Sequence, residues 1–192
     1  MKRKFILILN FRFLNDKGTT ISQVTIGNPQ YFRSFKLTDG SLVNVQITDT
    51  SGQERYRALN QFYYRNADCC LLVYDISNRK SFEECSYYAA EIKERCKKNI
   101  KVILLGNKTD LKRVILSEEG ANLALKNNYI FMETSCKKNK NVADAFQTLI
   151  EITNIESKKN YSNKILRSSS KIVITTDKHN KKEDKKQKSK KC

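Results

Sequence analysis

The sequence has little of the residue types on which several common kinds of active site depend. It contains no tryptophan, one proline and one histidine, His179. Catalysis by histidine and metal binding by clustered histidines are therefore disfavoured. None of the six cysteines has the paired C-x-x-C spacing of a zinc site. Cys69 and Cys70 lie in an apolar stretch and are typical of small core residues. The cysteine pattern favours a reducing, cytosolic setting.

The chain also lacks a long apolar run. No stretch approaches the roughly 20 apolar residues that cross a bilayer as a helix. Residues 5–9 follow a basic N-terminus and superficially resemble a signal peptide, but Asn10 and Arg12 end the run without a small-residue cleavage site. The 192 residues are enough for one compact α/β domain and a tail.

Positive charge is unevenly distributed along the chain. The formal net charge is +17, and basic residues dominate positions 157–192, called the tail below. The tail has too little apolar surface to fold alone, so we expect a globular domain at residues 1–156 followed by a disordered basic segment. Net charge alone could indicate nucleic-acid binding, but no DNA- or RNA-binding motif accompanies it, and we expect no such partner.

Short apolar segments alternate with amphipathic ones from residue 31 onward. The pattern predicts strands separated by helices, and hence a mostly parallel sheet with helices on both faces. Asp39-Gly40 predicts a hairpin between the first two of these strands. Ligands bind such sheets at the carboxyl ends of the strands. The predicted strands are 31–36, 42–49, 69–74, 101–107 and 129–134, and the predicted helices are 81–98 and those starting near Ser117 and Asn141.

The segment Asn-Lys-Thr-Asp at residues 107–110 follows a predicted strand. The Asp110 carboxylate can accept two hydrogen bonds from the N1–H and N2–H₂ edge of guanine, whereas adenine offers no such pair of donors. The Asn107 amide can contact the base and tie neighbouring loops, and the stem of Lys108 can cover the ring. A polar loop after a strand is the alternative, but the position after an apolar strand favours guanine recognition.

The segment Glu-Thr-Ser-Cys-Lys at residues 133–137 follows the last predicted strand. Ser135 and the nearby backbone N–H groups, in a loop that includes Cys136 and Lys137, could hold the O6 side of guanine. The alternative is a loop with capping hydroxyls that leads into a helix. Together the two loops are much more specific than either alone.

The segment Asp-Thr-Ser-Gly-Gln-Glu at residues 49–54 also follows a predicted strand. Asp49 can hold Mg²⁺ through a water, and Gly52 lets its N–H approach a γ-phosphate. Gln53 can orient the attacking water. The alternative is a common D-x-x-G turn. Upstream, the Thr25 hydroxyl could ligate Mg²⁺ and its N–H could touch the γ-phosphate, an interpretation that depends on the downstream motifs.

These motifs resemble those of the Ras superfamily of small GTPases, and within it those of Rab proteins. The resemblance extends over about residues 11–156 and includes D-T-S-G-Q-E-R-Y-R, Y-Y-R-N-A and L-V-Y-D-I-S, which begin at residues 49, 63 and 72. It implies a P-loop NTPase-like G domain that binds GTP and GDP with Mg²⁺. It also implies slow hydrolysis in which Gln53 is the catalytic residue, and nucleotide contacts from the base and phosphate motifs above.

The resemblance further implies a GTP/GDP-dependent switch in intracellular vesicle traffic. We expect a monomer that binds exchange factors, GTPase-activating proteins and effectors through residues 25–65. Its expected location is the cytoplasmic face of an intracellular membrane, with cycling to the cytosol. The chain departs from the family pattern at residues 28–32, at Thr48 in place of Trp and at Cys136 in place of Ala. These departures concern effector identity more than nucleotide chemistry.

The sequence contains no G-x-x-x-x-G-K-[ST], the loop whose backbone N–H groups cradle phosphates. Either residues 4–9 form the first strand and the loop is deleted, or the chain starts inside the first helix. The spacing from Arg12 to Thr25 favours the second interpretation, in which the first strand and the loop lie upstream of Met1 and the coding sequence is truncated or mis-spliced. The β-rich composition of residues 5–9 favours the first. We expect this polypeptide to bind GTP weakly or not at all.

The tail ends in a polybasic run and Cys192. One lipid chain plus a basic patch is enough for stable anchoring to an anionic membrane. The resemblance implies prenylation, although Rab proteins usually have two C-terminal cysteines and Cys192 is single. A solvated lysine tail is the alternative. For the whole chain, the alternative to a GTP-hydrolysing switch is a nucleotide-binding-deficient scaffold that uses the same surface to bind partners.

Overall fold

The computed structural model describes residues 2–9, 30–50 and 63–159, with the backbone alone at residues 2–9 and 50. In these ranges the main chain forms six strands and three long helices, with a short helical turn at 63–66. The strands are β1 (Lys2–Leu9), β2 (Gln30–Lys36), β3 (Leu42–Thr50), β4 (Cys69–Asp75), β5 (Lys101–Asn107) and β6 (Ile130–Glu133). The helices are α1 (Arg79–Arg95), α2 (Ser117–Asn127) and α3 (142–159).

The six strands form one sheet in the order β2-β3-β1-β4-β5-β6. β2 runs antiparallel to β3, and every other neighbouring pair is parallel. Helices connect the parallel strands of β4, β5 and β6, because such a crossover cannot be made by a tight turn. The predicted α/β class with a mostly parallel sheet is confirmed.

The position of β1 corrects the prediction that the first strand lies upstream of Met1. β1 is a central strand of the sheet, with Phe5 opposite Ile47 of β3 and Cys69 of β4. A strand between two parallel neighbours suits a continuous apolar sequence, which residues 5–9 provide. The Arg12–Thr25 spacing misled the prediction, because the distance between two residues in the sequence carries no information about the conformation of the residues before them.

The β2–β3 hairpin closes through the predicted Asp-Gly turn. Leu37 N–H donates to the Ser41 carbonyl across 2.8 Å, and Gly40 N–H donates to the Leu37 carbonyl across 2.9 Å. Gly40 has φ +80°, which side-chain-bearing residues rarely adopt. The Asp39 carboxylate accepts from the Ser41 backbone N–H and hydroxyl. The turn therefore fixes the register between β2 and β3.

β4 explains why the core has two halves. All but the last of its residues are buried, and successive side chains point to opposite faces of the sheet. Cys69, Leu71 and Val73 pack in a cluster that includes the apolar stripe of α3, whereas Cys70, Leu72 and Tyr74 pack in a cluster that includes α1 and α2 residues. Both cysteines are buried, as predicted. The stripe of α3 consists of Ala145, Phe146, Leu149 and Ile150.

The helix starts differ slightly from prediction. α1 begins at Arg79, where the Asn78 side chain accepts from Ser81 N–H. α2 begins at Ser117 as predicted, but the Ser117 hydroxyl donates to Glu133 across 2.7 Å and does not cap the helix. Instead, the Glu119 carboxylate accepts from Leu116 N–H across 2.9 Å. Within the described part of the chain, no helix is both long and apolar enough to cross a bilayer.

Candidate functional site

Polar side chains follow neighbouring strands at one edge of the sheet. Asp49 lies opposite Leu7 near the end of β1, Asp75 lies opposite Asn107, and Glu133 lies opposite Gly106. Because these strands are parallel, their carboxyl ends meet at the same edge. The loops predicted to bind ligand after β5 and β6 are therefore neighbours, with Asp49 at the end of β3 along the same edge.

The Asn107 side chain is buried and held by the loop after β6. Its Oδ1 accepts from the Thr134 hydroxyl across 3.2 Å and from Cys136 N–H across 3.3 Å. The Cys136 thiol lies 3.3 Å from the same oxygen. Three donors on Oδ1 fix the amide orientation, so Nδ2 is the end turned away from them. The predicted tie between the two loops is present in this geometry.

The Asp110 carboxylate is held by Ser135. The Ser135 hydroxyl donates to Oδ1 of Asp110 across 2.5 Å and accepts from Lys138 N–H across 3.2 Å. The hydrogen bond from Ser135 is the main cause that lowers the pKa of Asp110 below its ordinary value, and the charge of Lys137 acts in the same direction. Asp110 is therefore ionised at neutral pH and is an acceptor of hydrogen bonds.

Backbone hydrogen bonds join the same two loops. Thr134 N–H donates to the Gly106 carbonyl across 2.9 Å, and Thr109 N–H donates to the Thr134 carbonyl across 3.1 Å. Ser135 and Lys140 exchange a reciprocal pair of bonds that closes the second loop. The relative position of Asp110 and Ser135 is thus set by main chain as well as by side chains.

Lys108 lies between these groups with its ammonium on Asp75. Lys108 has φ +67°, in the left-handed region that few residues other than glycine adopt. Its Nζ lies 2.6 Å from Oδ2 of Asp75, and Oδ1 of Asp75 accepts from the N–H and hydroxyl of Ser77. Burial acts to raise the pKa of Asp75, but hydrogen bonds from Lys108 and Ser77 outweigh it and lower the pKa overall.

Two bidentate ion pairs hold the segment that follows Asp110. Arg113 donates to both oxygens of Glu133, across 2.7 and 3.0 Å. Arg79 donates to both oxygens of Glu119 and to the Val114 carbonyl. Bidentate pairs of this kind restrict orientation as well as distance. Sequence reasoning missed Asp75 and both arginines, although the position of Asp75 at the carboxyl end of β4 was available as a signal.

Cys136 and Lys137 differ in their relation to the site. Burial is the main cause that raises the pKa of the Cys136 thiol, to about 11, so the thiol is protonated at neutral pH. A protonated thiol can donate to Asn107 but is a poor nucleophile. Lys137 is exposed and influences Asp110 through its charge. Cys136 therefore helps to hold the loop against Asn107, whereas Lys137 acts on Asp110 through its charge.

Comparison with known proteins identifies the family. A sequence model of the Ras family matches residues 7–155. The chain is 42% identical over 152 residues to Ras-related protein RGP1 of rice, and the match covers 78% of this chain and 67% of the relative. It is 42% identical over 151 residues to RABA1b of Arabidopsis thaliana, covering 77% of this chain and 69% of the relative. It is 40% identical over 159 residues to human Rab-8B, covering 81% and 76%.

The chain belongs to the Ras family. The resemblance to Rab-like small GTPases, and the G-domain fold that it implied, are confirmed. Ras-family small GTPases bind GTP and GDP, typically with Mg²⁺, and the Rab-like relatives indicate a small GTPase of membrane traffic in general. Family membership also supports regulators and effectors as a class of partner.

Some residues predicted for the Ras-family phosphate and membrane functions lie outside the described residues. They are Thr25, Gly52, Gln53 and Cys192, and their predicted roles stay predictions. Asp49 is described, and it is buried at the carboxyl end of β3. A carboxylate oxygen there fits the hard ligands that Mg²⁺ prefers. Within residues 30–50 and 63–159, no group of three or more acidic, cysteine or histidine side chains could hold a metal ion.

Proposed function

We propose that this chain is a Rab-like guanine-nucleotide switch of intracellular vesicle traffic that recognises the base through Asn107, Lys108, Asp110 and the loop at residues 135–137. The single observation on which the proposal rests is the Asp110 carboxylate, held by Ser135 beside the fixed Asn107 amide. Family membership supports the guanine nucleotide as the ligand class.

The held carboxylate explains selectivity for guanine. Guanine presents N1–H and N2–H₂ as two adjacent donors, and an ionised carboxylate accepts from both. Adenine has an unprotonated N1 in that position, so its binding would leave Asp110 without a donor. The Asn107 Nδ2 is available for an acceptor on the base, and backbone N–H groups near Ser135 can meet the O6 side. The aliphatic stem of Lys108 covers the face of the ring.

Binding of the phosphates is assigned to Thr25 and to the segment at residues 49–54. In our proposal, Thr25 and Asp49 hold Mg²⁺, the Gly52 N–H meets the γ-phosphate, and Gln53 orients the water that attacks it. The polypeptide has no phosphate-loop motif, so the dense set of backbone donors that such a loop supplies is missing from its sequence. We therefore expect base selectivity to be retained while the affinity for di- and triphosphate is low and hydrolysis is slow.

Membrane and protein contacts form the second part of the proposal. Residues 25–65 bind exchange factors, GTPase-activating proteins and effectors, and the chain acts as a monomer. The basic tail attracts an anionic leaflet at about 1 kcal/mol for each lysine or arginine near the surface. Prenylation of Cys192 would add the second anchoring signal. The proposed location is the cytoplasmic face of an intracellular membrane, with return to the cytosol.

The missing phosphate-loop motif also favours a second candidate, a nucleotide-binding-deficient scaffold. Such a protein would use residues 25–65 to bind partners without cycling. The comparisons lend it no support, because the matched relatives are Ras-related and Rab proteins. The retained geometry around Asp110 also argues against it, since a scaffold has no need for a carboxylate fixed by Ser135.

Calorimetric titration of the full-length chain with guanosine, adenosine, GDP and GTP tests the proposal. We expect guanosine to bind measurably and adenosine at least about tenfold more weakly, from the unpaired carboxylate. We expect GDP to exceed guanosine by no more than about tenfold, since few backbone donors meet the phosphates. Equal affinities for guanosine and adenosine would contradict base recognition. Submicromolar GDP binding would contradict the expected loss of phosphate affinity.

A further inference from the structure

Asp75 is a carboxylate to which neither the sequence analysis nor the proposed function assigns a role. It ends β4, directly opposite Asn107 at the end of β5. Its side chain is 11% exposed and that of Lys108 is 25% exposed, so their 2.6 Å ion pair is largely shielded from water. Ser77 donates to the other carboxylate oxygen through its N–H and its hydroxyl. Asp75 is thus fixed from one side and offers its second oxygen to Lys108.

We propose that Asp75 is the positioning residue for Lys108: it anchors the ammonium group so that the stem of Lys108 lies ready across the face of the bound guanine ring. This inference rests on the proposed function, because it assigns Lys108 to the base. Asp75 itself acts through Lys108 and does not contact the base in this proposal. Its role differs from that of Asp110, which sets base identity.

A flexible lysine needs such an anchor more than the other residues of the site do. The lysine stem has several rotatable bonds, and ordering it when ligand arrives costs conformational entropy. An ion pair that holds the ammonium in the free protein moves that cost from binding to folding. The positive φ of Lys108 directs the main chain sharply at this position, so the side chain starts from a defined direction.

The ion pair is not required to join the two strands. β4 and β5 are already paired along their length, and beyond β4 the Ile76 N–H donates to the Asn107 carbonyl across 3.0 Å. Val114 and Ile115 N–H groups both donate to the Ile76 carbonyl, across 2.9 and 3.0 Å. Because the main chain holds this corner, the observed ion pair is better explained by control of the Lys108 side chain than by strand cohesion.

The test combines lysine labelling with nucleoside binding in wild type and Asp75→Asn. Acetic anhydride at limiting concentration, read by mass spectrometry, reports how accessible the Lys108 amine is in the free protein. We expect Lys108 to be acetylated about three- to tenfold faster in Asp75→Asn, the effect of one partly shielded ion pair. Asp68→Asn is the matched control, because Asp68 forms a separate lysine ion pair, with Lys97 across 2.7 Å. The control should leave Lys108 labelling unchanged.

Titration with guanosine and inosine then separates positioning from collapse of the site. Inosine lacks the 2-amino group but presents the same ring face to Lys108. We expect Asp75→Asn to weaken both nucleosides by the same factor, about three- to tenfold from the ordering of one side chain. Asp75→Glu, which keeps the charge, should restore part of the affinity.

Each other outcome overturns the inference in a recognisable way. Unchanged Lys108 labelling would mean that Asp75 does not anchor the amine. Faster labelling with unchanged nucleoside affinity would mean that the anchor has no bearing on the base. A change in the ratio of guanosine to inosine affinity would mean that the substitution distorts the Asp110 contact. If wild type itself fails to prefer guanosine over adenosine, the proposed function fails. The labelling result still shows whether Asp75 anchors the Lys108 amine.

Discussion

Ser135 donates its hydroxyl hydrogen to a carboxylate oxygen of Asp110 across 2.5 Å, joining two loops that lie 25 residues apart in the chain. Ser135 is fully buried, and its hydroxyl also accepts from Lys138 N–H. The contact therefore places Asp110 in one orientation before any ligand arrives. A preorganised carboxylate loses less freedom on binding than a mobile one, which favours selective recognition of a donor pair.

Replacing Ser135 by alanine should raise the pH below which guanosine affinity declines. The hydrogen bond from Ser135 lowers the pKa of Asp110, and base recognition needs the ionised carboxylate. Without that bond, the pKa of Asp110 rises, and the carboxylate is protonated earlier as pH falls. Guanosine affinity measured by calorimetry between about pH 3 and pH 7 should decline at a higher pH than in wild type.

Ser34→Ala is the control for this experiment. The Ser34 hydroxyl donates to the Asn44 side chain across 2.7 Å on the β2–β3 surface, away from the Asp110 contact. Removal of this hydroxyl should leave unchanged the pH at which guanosine affinity declines. An identical pH profile for wild type and Ser135→Ala would show that Ser135 does not tune Asp110.

Gly120→Ala should destabilise the protein, although alanine normally favours a helix. A Cβ at position 120 would lie 2.5 Å from Cε2 of Phe131 and closer still to the Tyr74 hydroxyl. Overpacking of this kind costs about 1–3 kcal/mol, against a gain of about 1 kcal/mol from helix propensity. We expect the free energy of unfolding, measured by urea denaturation, to fall.

The double variant Gly120→Ala with Tyr74→Phe identifies the clash. Among the described residues, the buried Tyr74 hydroxyl has no hydrogen-bond partner, so its removal should cost little. It also opens space for the new Cβ. The loss caused by Gly120→Ala should therefore be smaller in the Tyr74→Phe background. A loss of equal size in both backgrounds would place the clash elsewhere.

The Arg79–Glu119 pair should stabilise the fold only where Glu119 is ionised. Hydrogen bonds from Arg79 and from Leu116 N–H lower the pKa of Glu119 to about 2. A depressed carboxyl pKa contributes stability that is present above the ordinary value and is lost as pH falls through the folded value. The difference in urea midpoint between wild type and Glu119→Gln should therefore shrink as pH falls from about 5 towards 2.

An Arg79→Met background supplies the comparison for Glu119. The hydrogen bond from Arg79 is the main cause of the low pKa of Glu119, so removal of Arg79 should reduce the pH dependence of the Glu119→Gln effect. The same pH dependence in both backgrounds would contradict the assignment to the ion pair. The pair is exposed, so its effect is also expected to weaken with added salt.

Much of the sheet could be predicted from the sequence because its signals are local. The continuous apolar run of β4 and the Asp-Gly turn at residues 39–40 both led to correct elements. β1 was the exception, because the Arg12–Thr25 spacing favoured a first strand upstream of Met1, although the β-rich composition of residues 5–9 favoured a strand there. Pairing on both sides, with β3 and β4, is what establishes it as the central strand, and that pairing is non-local.

The candidate site divides in the same way. Asn107, Asp110 and Ser135 could be predicted because each lies in a short motif after a strand, and the structure brings them together. The ion pairs of Asp75 and Arg113 could not, because their partners Lys108 and Glu133 are distant in sequence. The position of an ion pair depends on the register between strands and on loop paths, neither of which a local motif encodes.

The central claim is that Asp110 reads the donor edge of guanine, and the Asp110→Asn variant tests it most directly. An asparagine amide offers one donor and one acceptor, which match the C2 carbonyl and N1–H of xanthine. Calorimetric titration of both proteins with guanosine and xanthosine should show a preference for guanosine in wild type. The variant should prefer xanthosine, with a shift in relative affinity of about 10- to 100-fold from the exchanged hydrogen bonds. A variant that keeps the wild-type preference for guanosine would contradict the account.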